Sequence, residues 1–533
     1  MERTVMARSI NRRTFTASAL ATLTAPSLSL AQGANVLKFV PQTDVAVLDP
    51  VWTTTYPTRD HGYLVFDTLF GMDGQYKMSP QMLEGAATEA DGKVWNLTLR
   101  AGLKFHDGSA VLARDCVASI KRWGARDAFG QALMAATDEL SAPDDKTIRF
   151  RLKYPFPLLP DALGKASPNM CAMMPERLAN TSPTERITEM VGSGPYRFLA
   201  GERVPGALIA YAKFDGYVPR SSGTPDWTAG PKVAHFERIE WRIMPDSNTA
   251  LSALRAGEID WWYSPDADLL PAIRRMNGVA SKVIDPTGWI STMRLNHLVA
   301  PFDNAALRRV VLSAVSQADF MQGQTSERDL WKDGVGIFCP GTPMASDAGM
   351  EVLTKPRDLA ALKKAVIDAG YKGEKVVVLG ATDIASSRAL SDVGADLLQK
   401  LGFNVDYQLM DWGTVVQRRA KTEPVEQGGW NVFHTFWSGT DHFTPAGHAF
   451  LRANGRNGAP GWPTVPALET MRDDWFKAPS AAAAAEVARK MQLLAFQEVP
   501  YVPLGQRFFP TAYRSNLTGM LNGNPVFWNI KRG

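Results

Sequence analysis

Residues 95–109 read Trp-Asn-Leu-Thr-Leu-Arg-Ala-Gly-Leu-Lys-Phe-His-Asp-Gly-Ser, and they carry the strongest structural signal in the chain. Apolar and polar residues alternate from Trp95 to Leu99, which is typical of a strand with one buried face. The following Phe-His-Asp-Gly is typical of a turn, because Asp can cap nearby backbone amides and Gly tolerates a positive φ. A helix is predicted after Ala113. The alternation recurs at 147–151, so this part of the chain should be α+β with antiparallel strands.

Downstream, the region 356–421 has a different periodicity, in which helix and strand patterns alternate. We predict a helix starting at Pro356 and closed by Gly370, a strand over 375–379, a helix over 387–401, a strand over 403–409 and a helix after Trp412. Such alternation predicts a parallel sheet covered by helices. Further helices are predicted over 246–257, over 303–320 and after Ser480. Two different regions in 533 residues indicate at least two compact units, with a ligand cleft expected between them.

The N-terminus has the pattern of an export signal. Four arginines within the first 13 residues precede an uncharged stretch, 14–31, that ends in Ser-Leu-Ala. A basic region, an apolar region and small residues in this order predict a secretory signal that is cleaved near Ala31. The Arg12-Arg13 pair resembles a twin-arginine signal, so we favour that export route over the general secretory one. No Cys lies near the cleavage site, so we expect a periplasmic protein without a lipid anchor.

Charge and hydropathy exclude two classes of protein. The formal net charge is +4, but without residues 1–31 the chain has 54 basic and 53 acidic residues. A nearly neutral mature chain does not have the concentrated basic charge of a nucleic-acid-binding protein. The mean hydropathy of −0.16 argues against a polytopic membrane protein.

Motifs of common enzymes are missing from the sequence. There is no GxSxG nucleophile elbow, no GxxxxGK[ST] phosphate loop and no HExxH helix. We therefore expect no enzymatic activity and no cofactor, with a secreted hydrolase of unrecognised site as the remaining enzymatic alternative. Cys116, Cys171 and Cys339 lack the spacing of a zinc or redox site. One pair at most could form a disulfide, and buried packing of free thiols is the favoured interpretation.

The stretch from Trp95 to the helix after Ala113 closely resembles a signature of the family 5 extracytoplasmic solute-binding proteins, the peptide-, dipeptide- and nickel-binding components of ABC importers. Six further motifs match that family in the family's order and extend the resemblance over nearly the whole mature chain. They are Leu48-Asp49-Pro50, Asp67-Thr68-Leu69-Phe70, Gly192-Ser193-Gly194-Pro195-Tyr196, Gly257-Glu258-Ile259-Asp260, Pro301-Phe302-Asp303-Asn304 and Val499-Pro500-Tyr501-Val502-Pro503-Leu504. Each motif alone is modest, and the complete order is specific.

The resemblance implies an α/β fold with two lobes, a hinge of two crossing segments between them, and an extra subdomain on lobe I. The expected boundaries are 34–66, 190–286 and 505–533 for lobe I, 67–189 for the extra subdomain and 287–504 for lobe II. It also implies a function as the periplasmic substrate-binding component of an ABC transporter. A monomer would capture a peptide or similar small amphipathic solute by lobe closure and deliver it to the membrane permease subunits.

The resemblance also indicates a ligand segment in lobe II. Peptide-binding members have a Trp-x-x-Asp run whose carboxylate pairs with the ligand ammonium, whereas residues 437–441 here read Trp-Ser-Gly-Thr-Asp. The acidic residue therefore comes one position later than in the family motif. In an extended segment, a shift of one residue turns the side chain to the opposite face of the strand. Either a local bulge restores Asp441, or the protein does not bind a free amine. The predicted ligand contacts are Tyr56, Trp289, Trp412, Trp437, Thr440 and Asp441, with Arg388 as a weaker candidate.

A chelated metal such as nickel is the alternative ligand. His434, His442 and His448 fall close together in sequence with Asp441, and imidazole and carboxylate are common metal ligands. Their spacing does not place them together on one element, so we predict no metal centre made by the protein alone.

Overall fold

The computed structural model describes residues 35–533, so the predicted export signal, 1–31, lies outside the described residues. A seven-stranded mixed sheet is assembled from both ends and the middle of this range, and we call the unit around it lobe I. Its strands, in spatial order, are Val279–Val283, Pro510–Arg514, Trp261–Trp262, Val36–Val40, Arg238–Arg242, Leu208–Lys213 and Tyr196–Phe198. Its helices are Tyr56–Val65, Ser247–Ala256 and Leu270–Ile273.

A six-stranded sheet forms the core of a second unit, lobe II. In spatial order its strands are Trp331–Lys332, Val502–Arg507, Trp289–Leu295, Val432–Ser438, Lys375–Ala381 and Asn404–Met410. The last three pair in parallel, as the alternating pattern predicted, and the rest pair antiparallel. The helices of lobe II are Ala305–Ala314, Gln317–Gln324, Glu351–Thr354, Leu359–Asp368, Ala385–Lys400, Trp412–Arg419, Pro466–Phe476 and Ala481–Glu498. None of the helices described is long and apolar enough to cross a membrane.

Two predicted helices differ from the observed ones. The helix predicted over 303–320 is two helices, because Ser316 takes an extended backbone and its side chain caps the second helix at the amide of Asp319. The helix predicted from Pro356 begins at Leu359, because the Asp358 carboxylate accepts hydrogen bonds from the backbone amides of Ala360 and Ala361. In both cases a side-chain cap decided where the helix begins.

A smaller unit, which we call the subdomain, is formed within the part of the chain between strands Val36–Val40 and Tyr196–Phe198 of lobe I. Its antiparallel sheet contains, in order, Leu83–Glu89, Val94–Leu99, Thr147–Leu152 and Thr137–Ser141. The Trp95 stretch therefore forms the predicted strand, and the helix after it is Ala113–Gly124. The other helices are Ala128–Ala136, Leu159–Gly164 and Glu176–Ala179, and a small hairpin pairs Phe70–Met72 with Met78–Pro80.

Buried polar contacts fasten the subdomain to lobe I. Asp49 of the Leu-Asp-Pro motif accepts two hydrogen bonds from the Arg122 guanidinium, at 3.2 and 2.7 Å, and both side chains are fully buried. His106 of the turn motif exchanges hydrogen bonds with the loop at Gly192 and Gly194. A Cβ at Gly192 would lie 2.1 Å from the carbonyl oxygen of Val65, so this loop can pack against the end of helix Tyr56–Val65 only as glycine.

Lobes I and II are joined by two short connections. Residues 284–288 link strands Val279–Val283 and Trp289–Leu295, and residues 508–509 link Val502–Arg507 and Pro510–Arg514. On each side of the crossing the two segments are paired antiparallel. The strands and helices are thus divided between two lobes, as predicted. The predicted residue boundaries of the lobes and the subdomain stay a prediction.

Candidate functional site

One tyrosine of lobe I bonds directly to lobe II. The Tyr56 hydroxyl donates to Oδ2 of Asp441 at 2.6 Å and accepts the backbone amide of Ser438 at 2.9 Å. Its ring packs edge-on against Trp289, with ring centroids 4.7 Å apart. We call these four residues the Tyr56 junction. Three predicted ligand contacts, Tyr56, Trp289 and Asp441, therefore meet at the boundary of the two lobes.

Asp441 reaches this position because the chain turns after Ser438. Residues Gly439–His442 form a helical turn, which the expectation of an extended segment did not include. The amide of Gly439 donates to the carbonyl of Gly288 in the first crossing segment, at 2.7 Å. A Cβ on Gly439 would lie 2.2 Å from the carbonyl oxygen of Thr287. The crossing segment and a glycine thus hold the helical turn that carries Asp441, which is neither an extended segment nor a bulge, and contact between Asp441 and a ligand amine stays a prediction.

Charged groups surround the Tyr56 junction. Arg59 lies over the Tyr56 ring, 5.2 Å from its centroid, and forms a buried ion pair with Asp60 at 2.9 Å. Asp285 of the crossing segment accepts hydrogen bonds from the amide and hydroxyl of Thr287. Burial raises the pKa of Asp441 to about 6, and the Tyr56 hydroxyl and the Arg59 charge oppose that rise. The charge of Lys165 also opposes the rise, but no Lys or Arg of the described chain forms an ion pair with Asp441.

A cavity of about 380 Å³ lies beside the junction, between the subdomain and lobe II. Thr440, the remaining predicted contact of the turn, lines it. Its walls are mostly apolar, and those that matter most are Tyr76, Met78, Met344, Phe443 and Trp475. A concave, largely apolar space with a few polar groups is the usual form of a small-ligand site.

The same cavity contains charged side chains of the subdomain. Asp161 and Lys165 line it from helix Leu159–Gly164 and the residue after that helix, and Lys77 lies at its exposed edge. Lys165 forms an ion pair with Asp127. Burial raises the pKa of Asp161 to about 6. The space is therefore amphipathic, with apolar walls and a carboxylate on one side.

Aromatic side chains close the far side of the cavity. Phe129 and Phe156 of the subdomain contact Phe476 of lobe II, with ring centroids 5.7 and 6.2 Å apart. Phe129 also contacts Trp475, at 5.9 Å. We call this group the aromatic clasp. Together, the Tyr56 junction and the aromatic clasp hold the two sides of the cavity against each other.

Two other predicted contacts lie apart from the junction. Trp437 precedes Ser438 on the same strand, so it points to the opposite face of the sheet, where its ring packs on Phe450 with centroids 4.4 Å apart. Trp412 packs in a separate apolar cluster of lobe II that includes Phe433, with the Arg419 guanidinium over its ring. Arg388, the weaker candidate, forms an exposed ion pair with Asp392. Ligand contact at these positions stays a prediction.

The three histidines of the metal alternative are separated. His434 packs beneath helix Ala385–Lys400 against Gly394, whereas His442 and His448 contact each other edge to face, with ring centroids 4.4 Å apart. His448 hydrogen bonds to the carbonyl of Ile337 and to the Tyr501 hydroxyl. No group of three or more His, Cys, Asp or Glu among residues 35–533 could hold a metal ion. The three cysteines are buried and free.

Several cavity residues were not anticipated from the sequence. Asp161, Lys165 and Tyr76 belong to the subdomain, far in sequence from the lobe II segment that carries Thr440 and Asp441. No periodicity or motif joins these regions, and the only available hint was that acidic Asp161 interrupts the apolar run Leu158–Leu163.

Comparison with known proteins identifies the family to which this architecture belongs. Residues 77–458 match the model of the bacterial extracellular solute-binding proteins, family 5. The chain is 35% identical over 518 residues to y4tO of Sinorhizobium fredii, a probable peptide ABC transporter periplasmic-binding protein, and the match covers 96% of this chain and 97% of that one.

The chain belongs to family 5 of the bacterial extracellular solute-binding proteins. Solved structures of similar proteins have the same two-lobed fold. AgaA from A. tumefaciens R10, in complex with agropinic acid, aligns with a TM-score of 0.75 at 20% identity, covering 93% of this chain and 99% of that one. DppA from Helicobacter pylori, in complex with the peptide STSA, aligns with a TM-score of 0.74 at 20% identity, covering 93% and 98%. At this identity, the structures establish the fold of this family 5 protein and not its ligand.

Proposed function

We propose that this protein is the periplasmic substrate-binding component of an ABC transporter and that it captures a peptide or similar small amphipathic solute by lobe closure. The observation that carries the proposal is the cavity beside the Tyr56 junction, whose walls come from both the subdomain and lobe II. A site divided in this way is complete only when the two sides meet, so a ligand held there favours the closed form. The name of the relative y4tO supports a peptide as the ligand.

Asp441 is the proposed receptor for the amino group of the solute. One carboxylate oxygen accepts the Tyr56 hydroxyl, while Oδ1 has no hydrogen-bond partner among residues 35–533. An ammonium group at Oδ1 would form a charge-assisted hydrogen bond in a site largely shielded from water. Trp289 and Thr440 would contact the same end of the solute.

Export and delivery complete the proposed function. A leader cleaved near Ala31 would release an unanchored protein into the periplasm, where the closed form would dock on the permease subunits as a monomer. We propose capture without chemical conversion, since the family is one of solute-binding proteins.

A thermal-shift screen tests the proposal. The protein is unfolded, freed of co-purified solute, refolded and mixed with dipeptides, tripeptides, opines and sugars. Because a ligand that binds only the folded state raises its stability, at least one peptide at 100 times its Kd should add about 2.7 kcal/mol to the free energy of unfolding.

Isothermal calorimetry on the variant Asp441→Asn tests whether Asp441 binds the amino group of the peptide. We expect the variant to bind that peptide 10-fold or more weakly, since a charge-assisted hydrogen bond contributes about 1.5–3 kcal/mol. Asp215→Asn, at an exposed carboxylate of lobe I, is the matched control and should bind normally. A refolded protein that no peptide stabilises would refute the peptide assignment.

A further inference from the structure

Asp161 is an isolated carboxylate in the wall of the cavity. It lies on the short helix Leu159–Gly164, between the apolar neighbours Pro160 and Ala162. Its carboxyl group forms no hydrogen bond or ion pair with another residue of the described chain. Burial raises its pKa to about 6, and no neighbouring charge contributes to that rise. A half-buried charge without a protein partner costs free energy, and a cationic group bound in the cavity would recover part of that cost.

Neighbouring cations do not supply the missing partner. Lys165, one helical turn later, forms its ion pair with Asp127, the N-cap of helix Ala128–Ala136, and makes none with Asp161. Lys77 lies at the exposed edge of the cavity, where water solvates its ammonium group. Asp161 is thus the one acidic residue that lines the cavity, and no Lys or Arg of the described chain forms an ion pair with it.

We propose that Asp161 binds a cationic side chain of the captured solute, so that the protein prefers peptides with a lysine or arginine residue. The inference rests on the proposed function, because it assumes that the cavity holds a peptide. Asp441 would bind the terminal amine at one end of the solute, and Asp161 would bind the side-chain cation within the cavity. Selectivity for basic peptides then comes from two separate carboxylates.

The walls of the cavity suit such a side chain. Lysine and arginine bury an aliphatic stem and keep a charged end in a polar environment. Tyr76, Met78 and Phe443 provide an apolar surface for the stem, and Asp161 provides the polar end. A neutral aliphatic side chain would find the same surface and leave the carboxylate unmatched.

The test uses three peptides of similar size with the full mature protein: Ala-Lys, Ala-Leu and Ala-Nε-acetyl-lysine. Acetylation removes the charge and keeps the stem, so it examines the proposal without any mutation. Isothermal calorimetry at pH 7.5 should give a Kd for Ala-Lys about 10- to 100-fold lower than for the acetylated peptide, the range expected for hydrogen bonds to a charged group.

Asp161→Asn should remove that preference and leave the Kd for Ala-Leu unchanged. Asp161→Glu keeps the charge and should retain part of the preference, and Asp215→Asn should behave as the unmodified protein. Circular dichroism confirms that each variant is folded before titration.

The outcomes separate the two proposals. If neither these peptides nor any peptide of the thermal-shift screen binds, the peptide function itself is wrong. If all three bind equally, or if Asp161→Asn keeps the preference for Ala-Lys, the assignment of Asp161 is wrong and the peptide function stands.

Discussion

Asp441 and Asp161 show how a folded chain can retain carboxylates that ionise near neutral pH. In both, burial raises the pKa from the ordinary value of 3.8 to about 6. Neither has an ion-pair partner in the described chain, and a bound cation would reverse the rise. The charge state of Asp161, which lines the cavity, and that of Asp441, which follows the lining residue Thr440, would therefore change when a cationic solute binds as proposed.

The pH dependence of binding follows from these two residues. Both carboxyls are ionised at pH 7.5 and become protonated as the pH falls through about 6. At pH 5 each is about one-tenth ionised, so the affinity for a peptide with one cation should fall about tenfold, and for a basic peptide further.

Calorimetry of Ala-Lys and Ala-Nε-acetyl-lysine from pH 7.5 to 5 measures this effect, and the ratio of the two Kd values isolates Asp161. Effects of acid on the fold as a whole change the binding of both peptides equally and cancel in the ratio. A ratio that stays constant over this range would contradict the role of Asp161.

Helix Ala113–Gly124 illustrates how single elements fix the positions of larger units. Arg122 near its end reaches Asp49 of lobe I, and the same guanidinium donates to the carbonyl of Glu185. The subdomain that carries Asp161 is thereby attached to the lobe that carries Tyr56. The Leu-Asp-Pro motif thus has a structural role, because its Asp49 holds the subdomain against lobe I.

Breaking this buried pair should be costly. Asp49→Asn leaves the Arg122 charge buried without its counter-ion, and the free energy of unfolding measured with urea should fall by about 3–5 kcal/mol. Arg122→Met in the same chain should recover most of the loss, because no uncompensated charge remains.

Glu486→Gln provides the control for the Asp49 variant. It removes one partner of the exposed pair with Arg489, and such surface pairs contribute about 0–1 kcal/mol. If Asp49→Asn is no more destabilising than Glu486→Gln, the fastening role is wrong.

Periodicity predicted the elements well where local pattern and tertiary packing agree. The parallel strands and helix between Lys375 and Met410 were found within two residues of their expected limits. The break at Ser316 was missed because a side-chain cap competes with a continuous helical pattern. The turn at Gly439 was missed because it depends on the crossing segment, which is distant in sequence. For the candidate site, the sequence singled out Tyr56, Trp289, Thr440 and Asp441, which lie close together in the structure, and their contact with a ligand stays a prediction. Asp161 was not singled out, because its place in the cavity wall depends on contacts that only the folded chain creates.

At the scale of the whole molecule, the described conformation has the two sides of the cavity in contact. The Tyr56 junction supplies hydrogen bonds at one end, and the aromatic clasp supplies apolar contacts at the other. Rotation at residues 284–288 and 508–509 would separate both contacts at once, because lobe II has no other covalent link to lobe I. Opening and closing should therefore be a cooperative motion.

Phe476→Ala should favour the open form. Aromatic pairs contribute about 0.5–1.5 kcal/mol each, so losing the contacts with Phe129 and Phe156 should shift the closed-to-open ratio by about tenfold. Small-angle scattering of the ligand-free variant should show a larger radius of gyration than the unmodified protein, and a saturating peptide should reduce the difference.

Val416→Ala, at an exposed residue of lobe II, is the control and should leave the scattering curve unchanged. Equal radii for Phe476→Ala and the unmodified protein would show that the clasp does not stabilise closure.

The enclosure of the cavity also has a kinetic consequence. Because the Tyr56 junction and the aromatic clasp close two sides of the cavity and leave an exposed edge at Lys77, we expect a peptide-sized solute to enter mainly while the lobes are apart, so that the fraction of time spent open limits how often an encounter succeeds. The observed association rate should then level off at high solute concentration, at the rate constant of opening, instead of rising in proportion to concentration. The phenol of Tyr56 and the rings of the clasp would thus determine the speed of uptake as well as the strength of binding.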